Sequence, residues 1–209
     1  MKLTYLGHSC FKLEDQGFTV VFDPYADGYV PGYGNIREQA DLVLCSHEHA
    51  DHNGRDTVEL IPDGINQNPF VITEIPSWHD DAEGSLRGNN LIRVLDNGKY
   101  RIAHFGDLGC ELTDEQKVLL KDLDVALIPV GGYYTIDAQT AKRIVDSICP
   151  KTVIPMHFRG EGFGYDVIAP VEEFTCLYDT VLCPDDSAVT IPDGTPSGVL
   201  VLKPQNVQK

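Results

Sequence analysis

The stretch Leu42-Val43-Leu44-Cys45-Ser46-His47-Glu48-His49-Ala50-Asp51-His52 runs from an apolar, strand-length segment into six residues that hold three imidazoles and two carboxylates. Imidazole nitrogen and carboxylate oxygen are ligands of zinc, manganese and iron. An H-x-H-x-D-H spacing on a strand-to-loop turn lets the first two histidines grip one ion and points the last Asp and His toward a second. Acidic residues and histidines also cluster in solvated turns, so the motif has to be weighed against the rest of the chain.

Working outward, ligand-type residues recur just past apolar runs. His79 follows Phe70-Val71-Ile72-Thr73-Glu74-Ile75-Pro76, Asp107 lies in Phe105-Gly106-Asp107-Leu108-Gly109, and His157 closes Val153-Ile154-Pro155-Met156-His157. Such a series predicts strands whose ends converge on one edge, the usual place for a site in layered α/β folds.

These residues, in this order, resemble the metallo-β-lactamase superfamily, and the match spans nearly the whole chain. Gly7-His8-Ser9-Cys10-Phe11, Trp78-His79-Asp80-Asp81, Arg87-Gly88-Asn89, His104-Phe105-Gly106-Asp107, Pro129-Val130-Gly131-Gly132 and Pro155-Met156-His157 are similar to the small metal-dependent hydrolases related to L-ascorbate-6-phosphate lactonase. The resemblance implies an α/β fold, the four-layer αββα sandwich. It also implies two divalent ions, zinc first, with manganese and iron as alternatives. His47, His49 and His79 would hold one ion, Asp51, His52 and His157 the other, with Asp107 bridging. Ions about 3.5 Å apart can share a hydroxide formed near neutral pH, the implied nucleophile. Asp51 would orient it, and His8 is placed close to the metals as a catalytic candidate, with a structural role an equal alternative.

Other candidates come from position. Asp23 could orient a ligand histidine through its free ring N–H, and His104 could support the Asp107 loop. Asp80, Tyr133 or Tyr134 could protonate a leaving group or donate to a developing oxyanion. Arg87, inside one of these motifs, and Arg159, two residues past His157, would hold a substrate phosphate or carboxylate, against a plainer role in surface ion pairs. Tyr25, Tyr29 and Tyr33, in an aperiodic 25–37 loop, either line a pocket or cover the sheet edge.

The 209 residues suit one domain, 1–209. A formal charge of −16 argues against a nucleic-acid partner, since a phosphate backbone is bound through clustered Lys and Arg. Six scattered cysteines without a C-x-x-C pair or a leader-like N-terminus suggest a reduced, cytoplasmic protein. No apolar run reaches the length of a membrane span, so no membrane partner is expected. A homo-oligomer is compatible with the sequence, which does not fix oligomeric state.

Periodicity and turn signals predict an opening hairpin over 3–23, strands at 41–45, 70–75, 91–95 and 100–105, and a hairpin turn at Asn97-Gly98. A helix from Thr113 to about Leu123 and another over 137–148 follow from capping and amphipathic spacing. A third is expected near 170–178, with strands at 125–128, 152–156, 181–183, 187–191 and 198–202.

Redox chemistry of the flavin-linked di-iron kind is disfavoured, because His49 stands where those proteins carry Glu. Antibiotic hydrolysis is disfavoured by Asp51 and Asp107, and tRNA-processing nuclease activity by the acidic, compact chain. The expectation is a metal-dependent hydrolase acting on a small cytosolic ester or lactone, phosphorylated or not. A phosphodiesterase, or less favourably a non-catalytic metal-binding protein, is the alternative.

Overall fold

The computed structural model describes residues 1–208. In chain order the strands are β1 (Lys2–Gly7), β2 (Cys10–Asp15), β3 (Phe18–Phe22), β4 (Glu38–Ala40), β5 (Leu42–Leu44), β6 (Val58–Leu60), β7 (Val71–Trp78), β8 (Asn89–Asp96) and β9 (Arg101–His104). Helix α1 (Asp114–Leu119), β10 (Val125–Pro129), α2 (Ala138–Ile148), β11 (Thr152–Met156), α3 (Glu172–Thr175), β12 (Val181–Leu182), β13 (Ala188–Thr190) and β14 (Gly198–Leu200) follow. None of the described helices is long and apolar enough to cross a membrane.

The strands form a five-stranded sheet in the order β13-β1-β2-β3-β5, a seven-stranded sheet in the order β12-β14-β11-β10-β9-β8-β7, and the small pair β4-β6. Period-two alternation sorts the first sheet's side chains into two cores. Leu3, Tyr5, Phe11, Leu13, Val20 and Phe22 join Ile92, Val94, Ile102, Ala103 and Leu127 of the second sheet in one buried cluster, so the two sheets pack face to face. Leu6, Cys10, Val21 and Val43 point the other way into a second cluster.

On the outside of the seven-stranded sheet, α2 buries Ala138, Ala141, Ile144, Val145 and Ile148. Asp137 caps it by accepting from the Thr140 N–H at 2.8 Å, and Cys149 ends it in the left-handed region ahead of Pro150. The reciprocal Thr113–Gln116 capping box starts α1, which is shorter than the sequence suggests because Leu120 already leaves helical geometry. The expected third helix is a single turn, Glu172–Thr175. Over the five-stranded sheet the outer layer is made by the 25–37 segment. Its Tyr25, Val30, Tyr33 and Ile36 are at most 2% exposed and fill the second core. Tyr25 and Tyr33 therefore cover the sheet. The short strands β4 and β6 carry too little alternation to be read from sequence.

Pairing fixes where the strand ends point. β1 and β3 each run antiparallel to β2, and β5 runs parallel to β3. In the other sheet β7 and β9 run antiparallel to β8, with β10 and β11 parallel to β9. The carboxyl ends of β1, β3 and β5 thus share one end of their sheet, as do those of β7, β9 and β11. Backbone bonds from His157 N to the His8 carbonyl at 2.9 Å and from Leu91 N to the Ser46 carbonyl at 3.1 Å tie the sheets together there.

Candidate metal centre

Each of these six carboxyl ends delivers one polar residue or group to a common point: His8 after β1, Asp23 after β3, His47 to His52 after β5, His79 after β7, Asp107 after β9 and His157 after β11. Three of the turns are sharp enough to place a non-glycine residue in the left-handed region, with φ of 56° at His8, 41° at Asp23 and 53° at His157. Backbone of this kind persists where surrounding contacts over-determine it, and it concentrates at functional sites. Gly106, at φ 56°, needs its missing side chain, since a Cβ there would lie 2.3 Å from Asn90 Oδ1. That same oxygen accepts from Asp107 N–H at 2.9 Å, while Asn90 Nδ2 donates to the Phe105 carbonyl at 2.9 Å and to Ser77 Oγ at 2.8 Å. Asn90 thereby sets the loop that carries Asp107.

The potential ligand atoms fall into overlapping groups: His47, His49 and His79; His8, Asp51, His52 and His157; and His47, His52 and Asp107. Asp107 stands between the first two, with Oδ2 3.4 Å from His79 Nε2 and 3.3 Å from His157 Nε2, and Oδ1 3.1 Å from His52 Nε2. Atoms about 2.0–2.1 Å from one tetrahedral ion lie roughly 3.3–3.4 Å from each other. The residues therefore fit divalent ions. The buried atoms His47 Nε2, His52 Nε2, His157 Nε2 and Asp107 Oδ1 lack a hydrogen-bond partner, which an ion would supply.

A buried carboxylate behind the candidate ligands fixes the position of His52. Asp23, 1% exposed, accepts from Ser46 N–H and Ser46 Oγ, each at 2.6 Å, and contacts His52 Nδ1 at 2.7 Å. With an ion at the centre, that contact would hold the proton of His52 on Nδ1 and leave the Nε2 lone pair free to ligate. Burial opposes ionisation of Asp23, yet His104 and His52 outweigh it and hold its pKa below the ordinary carboxylate value. His104 donates through Nε2 to the Ser9 carbonyl at 2.8 Å, accepts Gly106 N–H at Nδ1 at 3.2 Å and stacks on Phe22. It braces the Asp107 loop.

Burial and neighbouring imidazoles lower the pKa of His47 to about 3, and burial with His157 lowers that of His8 to about 4, so both rings are neutral and able to ligate. Burial also opposes charge on His52, but the carboxylates of Asp107 and Asp51 raise its pKa well above the usual value. Asp107 is buried too, and His157 and His52 still hold it well below the carboxylate range. These opposing directions describe a site with concentrated negative charge at its centre, which a cation neutralises.

A cleft of about 340 Å³ opens onto this centre, lined by His49, Asp51, His79 and Asp107 together with Tyr29, Arg87, Tyr134 and Tyr165. A neighbouring cavity of about 640 Å³ shares His49 and Arg87 with it and is walled by Pro76, Trp78 and Leu91. Among the described residues no carboxylate pairs with the Arg87 guanidinium, which lies 5.7 Å from the centre of the Tyr134 ring.

Some sequence candidates lie elsewhere. Tyr133 is 64% exposed and borders two other surface hollows, while its neighbour Tyr134 faces the cleft. Arg159 donates to the Ile168 carbonyl at 2.8 Å and lines a hollow away from the metal ligands, so it is not placed to hold a substrate at the centre. Asp80 is an unsuitable acid. Its two oxygens accept the backbone N–H groups of Ala82, Gly84, Leu86 and Arg87 at 2.7–3.0 Å. Burial opposes its charge, but these donors lower its pKa, and it acts by folding the 80–88 loop that presents Arg87. Sequence reasoning misses Asn90, Ser46 and Tyr165. Of these, Asn90 alone leaves a trace, as a polar residue at an inward position of a strand.

Residues 2–157 match the beta-lactamase superfamily domain. A UPF0173 metal-dependent hydrolase of Carboxydothermus hydrogenoformans is 31% identical over 195 residues, covering 76% of this chain and 84% of the relative. Another, from Methanopyrus kandleri, is 28% identical over 209 residues, covering 83% of this chain and 87% of the relative. Among solved structures, a Thermotoga maritima protein provisionally assigned as a Zn-dependent hydrolase of the metallo-beta-lactamase superfamily superposes with a TM-score of 0.75 at 29% identity, covering 96% of this chain and 97% of that one.

Proposed function

We propose that this chain, which belongs to the metallo-β-lactamase superfamily and within it to the UPF0173 metal-dependent hydrolases, uses a two-ion centre to hydrolyse a small cytosolic ester or lactone bearing an anionic group. The observation that carries the reading is the position of Asp107 between two ligand clusters, within 3.4 Å of histidines from both. Divalent ions bound there would supply a nucleophile by lowering the pKa of water and would polarise the substrate oxygen.

The chain's own residues do the rest. Asp51, held ionised by His52 and His8 against the effect of burial, can accept a hydrogen bond within the cleft and orient its donor. Arg87, without a carboxylate partner among the described residues, offers a planar donor fork to a substrate carboxylate or phosphate. Tyr134 and Tyr165 line the cleft, where a phenol O–H can donate to an oxygen that gains charge. A phosphorylated sugar-acid lactone, suggested by the sequence resemblance to L-ascorbate-6-phosphate lactonase, belongs to this substrate class. A phosphodiester is the second reading, because it would use the same ions and the same arginine.

The test is metal analysis of protein purified without an affinity metal, followed by a screen of anionic lactones against phosphodiesters. About two ions per chain and lactone turnover that chelation removes are expected. Fewer than one ion, with no uptake of added zinc or manganese, would refute the two-ion centre. Phosphodiester turnover without lactone turnover would move the second reading to first place.

A further inference from the structure

We infer that His8 is a ligand of the inner ion, giving that ion five protein donors and making the two ions unequal; the inference rests on the two-ion reading above. The decisive feature is a distance. A hydrogen bond between an imidazole and a carboxylate contracts to about 2.7–2.9 Å when it is charge-assisted, and the site contains one of that length, His52 Nδ1 to Asp23 at 2.7 Å. His8 Nε2 instead stands 3.4 Å from Asp51 Oδ2. That spacing is long for such a bond and matches the 3.3 Å and 3.4 Å that separate Asp107 from His157 and His79. It is the separation of atoms sharing an ion.

Placement agrees with distance. His8 lies in one group with Asp51, His52 and His157, whose ligand atoms are all within 4.8 Å of one another. Its ring centre is 4.2 Å from that of His157 and 5.4 Å from that of His52. The chain bends sharply to bring it there. Gly7 has φ 134° and packs so closely on Tyr33 that a Cβ would lie 2.4 Å from that ring, and the His8 carbonyl accepts both Tyr5 O–H and His157 N–H at 2.9 Å.

Two consequences follow. The inner cluster, with His8, His52 and His157 each 0% exposed and Asp51 and Asp107 completing it, would hold its ion tightly and leave it little room for exchange. The outer cluster has three histidines and the shared Asp107, and its His49 is solvent-exposed. Its ion would be the labile one and the one that keeps an open position toward the cleft.

The experiment is NMR of the full chain carrying isotopically labelled histidine and loaded with NMR-active cadmium, with ring signals assigned by substitution, together with zinc titration of wild type and His8→Gln against a chromophoric chelator. Cadmium–nitrogen coupling at His8 as well as at His52 and His157 is expected. So is a loss of at least about tenfold in the tighter zinc class on His8→Gln, with the weaker class changed less than about threefold. Coupling at His52 and His157 but not at His8, or unchanged affinity in the variant, would overturn the inference and leave the two-ion reading standing. Coupling at none of the three would sink the two-ion reading itself, and the role of His8 with it. The couplings are read on wild-type protein, so a poorly folded variant does not block the test.

Discussion

Replacing Asp23 with asparagine changes one atom, yet it removes the acceptor that fixes the tautomer of a ligand. In wild type the carboxylate accepts from Ser46 N–H at 2.6 Å, Ser46 Oγ at 2.6 Å and His52 Nδ1 at 2.7 Å. Asparagine can keep the Ser46 N–H bond through its carbonyl, but its amide nitrogen then faces the hydroxyl and the imidazole. The hydroxyl can rotate and accept. The imidazole can satisfy the amide only by shifting its proton to Nε2, where it blocks the lone pair that points at the inner ion. Loss of such an orienting partner costs about 10–100-fold in metal affinity, or roughly 1.4–2.7 kcal/mol. The folded apo-protein should lose less, because two of the three contacts re-form in neutral versions worth about 1 kcal/mol each. The assay is zinc affinity by chelator competition beside thermal unfolding with and without zinc. A drop larger in metal-loaded than in apo stability, and an affinity loss confined to one class, are expected. Affinity within about twofold of wild type would refute the tautomer argument.

Asp107→Ala should abolish turnover and reduce the ion content while far-ultraviolet circular dichroism is retained; full activity in that variant would contradict a bridging carboxylate. Arg87→Met should raise KM for an anionic substrate by about tenfold or more with kcat little changed, since the lost contact is made in ground and transition states alike; an equal fall in kcat would assign Arg87 to the chemical step. Asp80→Asn should lower stability at pH 7 and mimic Arg87→Met in KM by loosening the 80–88 loop. Because the folded-state pKa of Asp80 is depressed, its contribution is present above about pH 4 and disappears as pH falls through the folded value. The gap between wild type and variant in denaturant midpoint should therefore close on acidification, and a gap that widened would show that the backbone bonds do not favour the charged form.

What sequence reveals about this protein follows a physical divide. The convergence of the candidate ligands His47, His49, Asp51, His52, His79, Asp107 and His157 is legible because each follows an apolar run, and a residue at a strand's carboxyl end needs only the strand's existence to be placed. The sheets hold these ends together through pairing that an apolar run announces without specifying: the ends of β1, β3 and β5 meet those of β7, β9 and β11. Asn90 and Ser46 escape a sequence reading because their importance is a matter of three-dimensional partners, Phe105 O, Asp107 N and Asp23, far from them in sequence. Tyr133 and Tyr134 show the same limit at the scale of one residue. Both follow Gly131-Gly132, but the left-handed φ of 57° at Tyr133 sends it to solvent and leaves Tyr134 in the cleft, a choice set by backbone geometry that side-chain chemistry does not encode. Asp80 is the sharper case. As a letter beside His79 it is a candidate acid, and only the four N–H groups around it make it the acceptor that builds the arginine's loop. The candidate ligands are thus marked locally in this chain, whereas the hydrogen bonds that orient them and the residues that line the cleft depend on loops whose conformation is set by the assembled sheets.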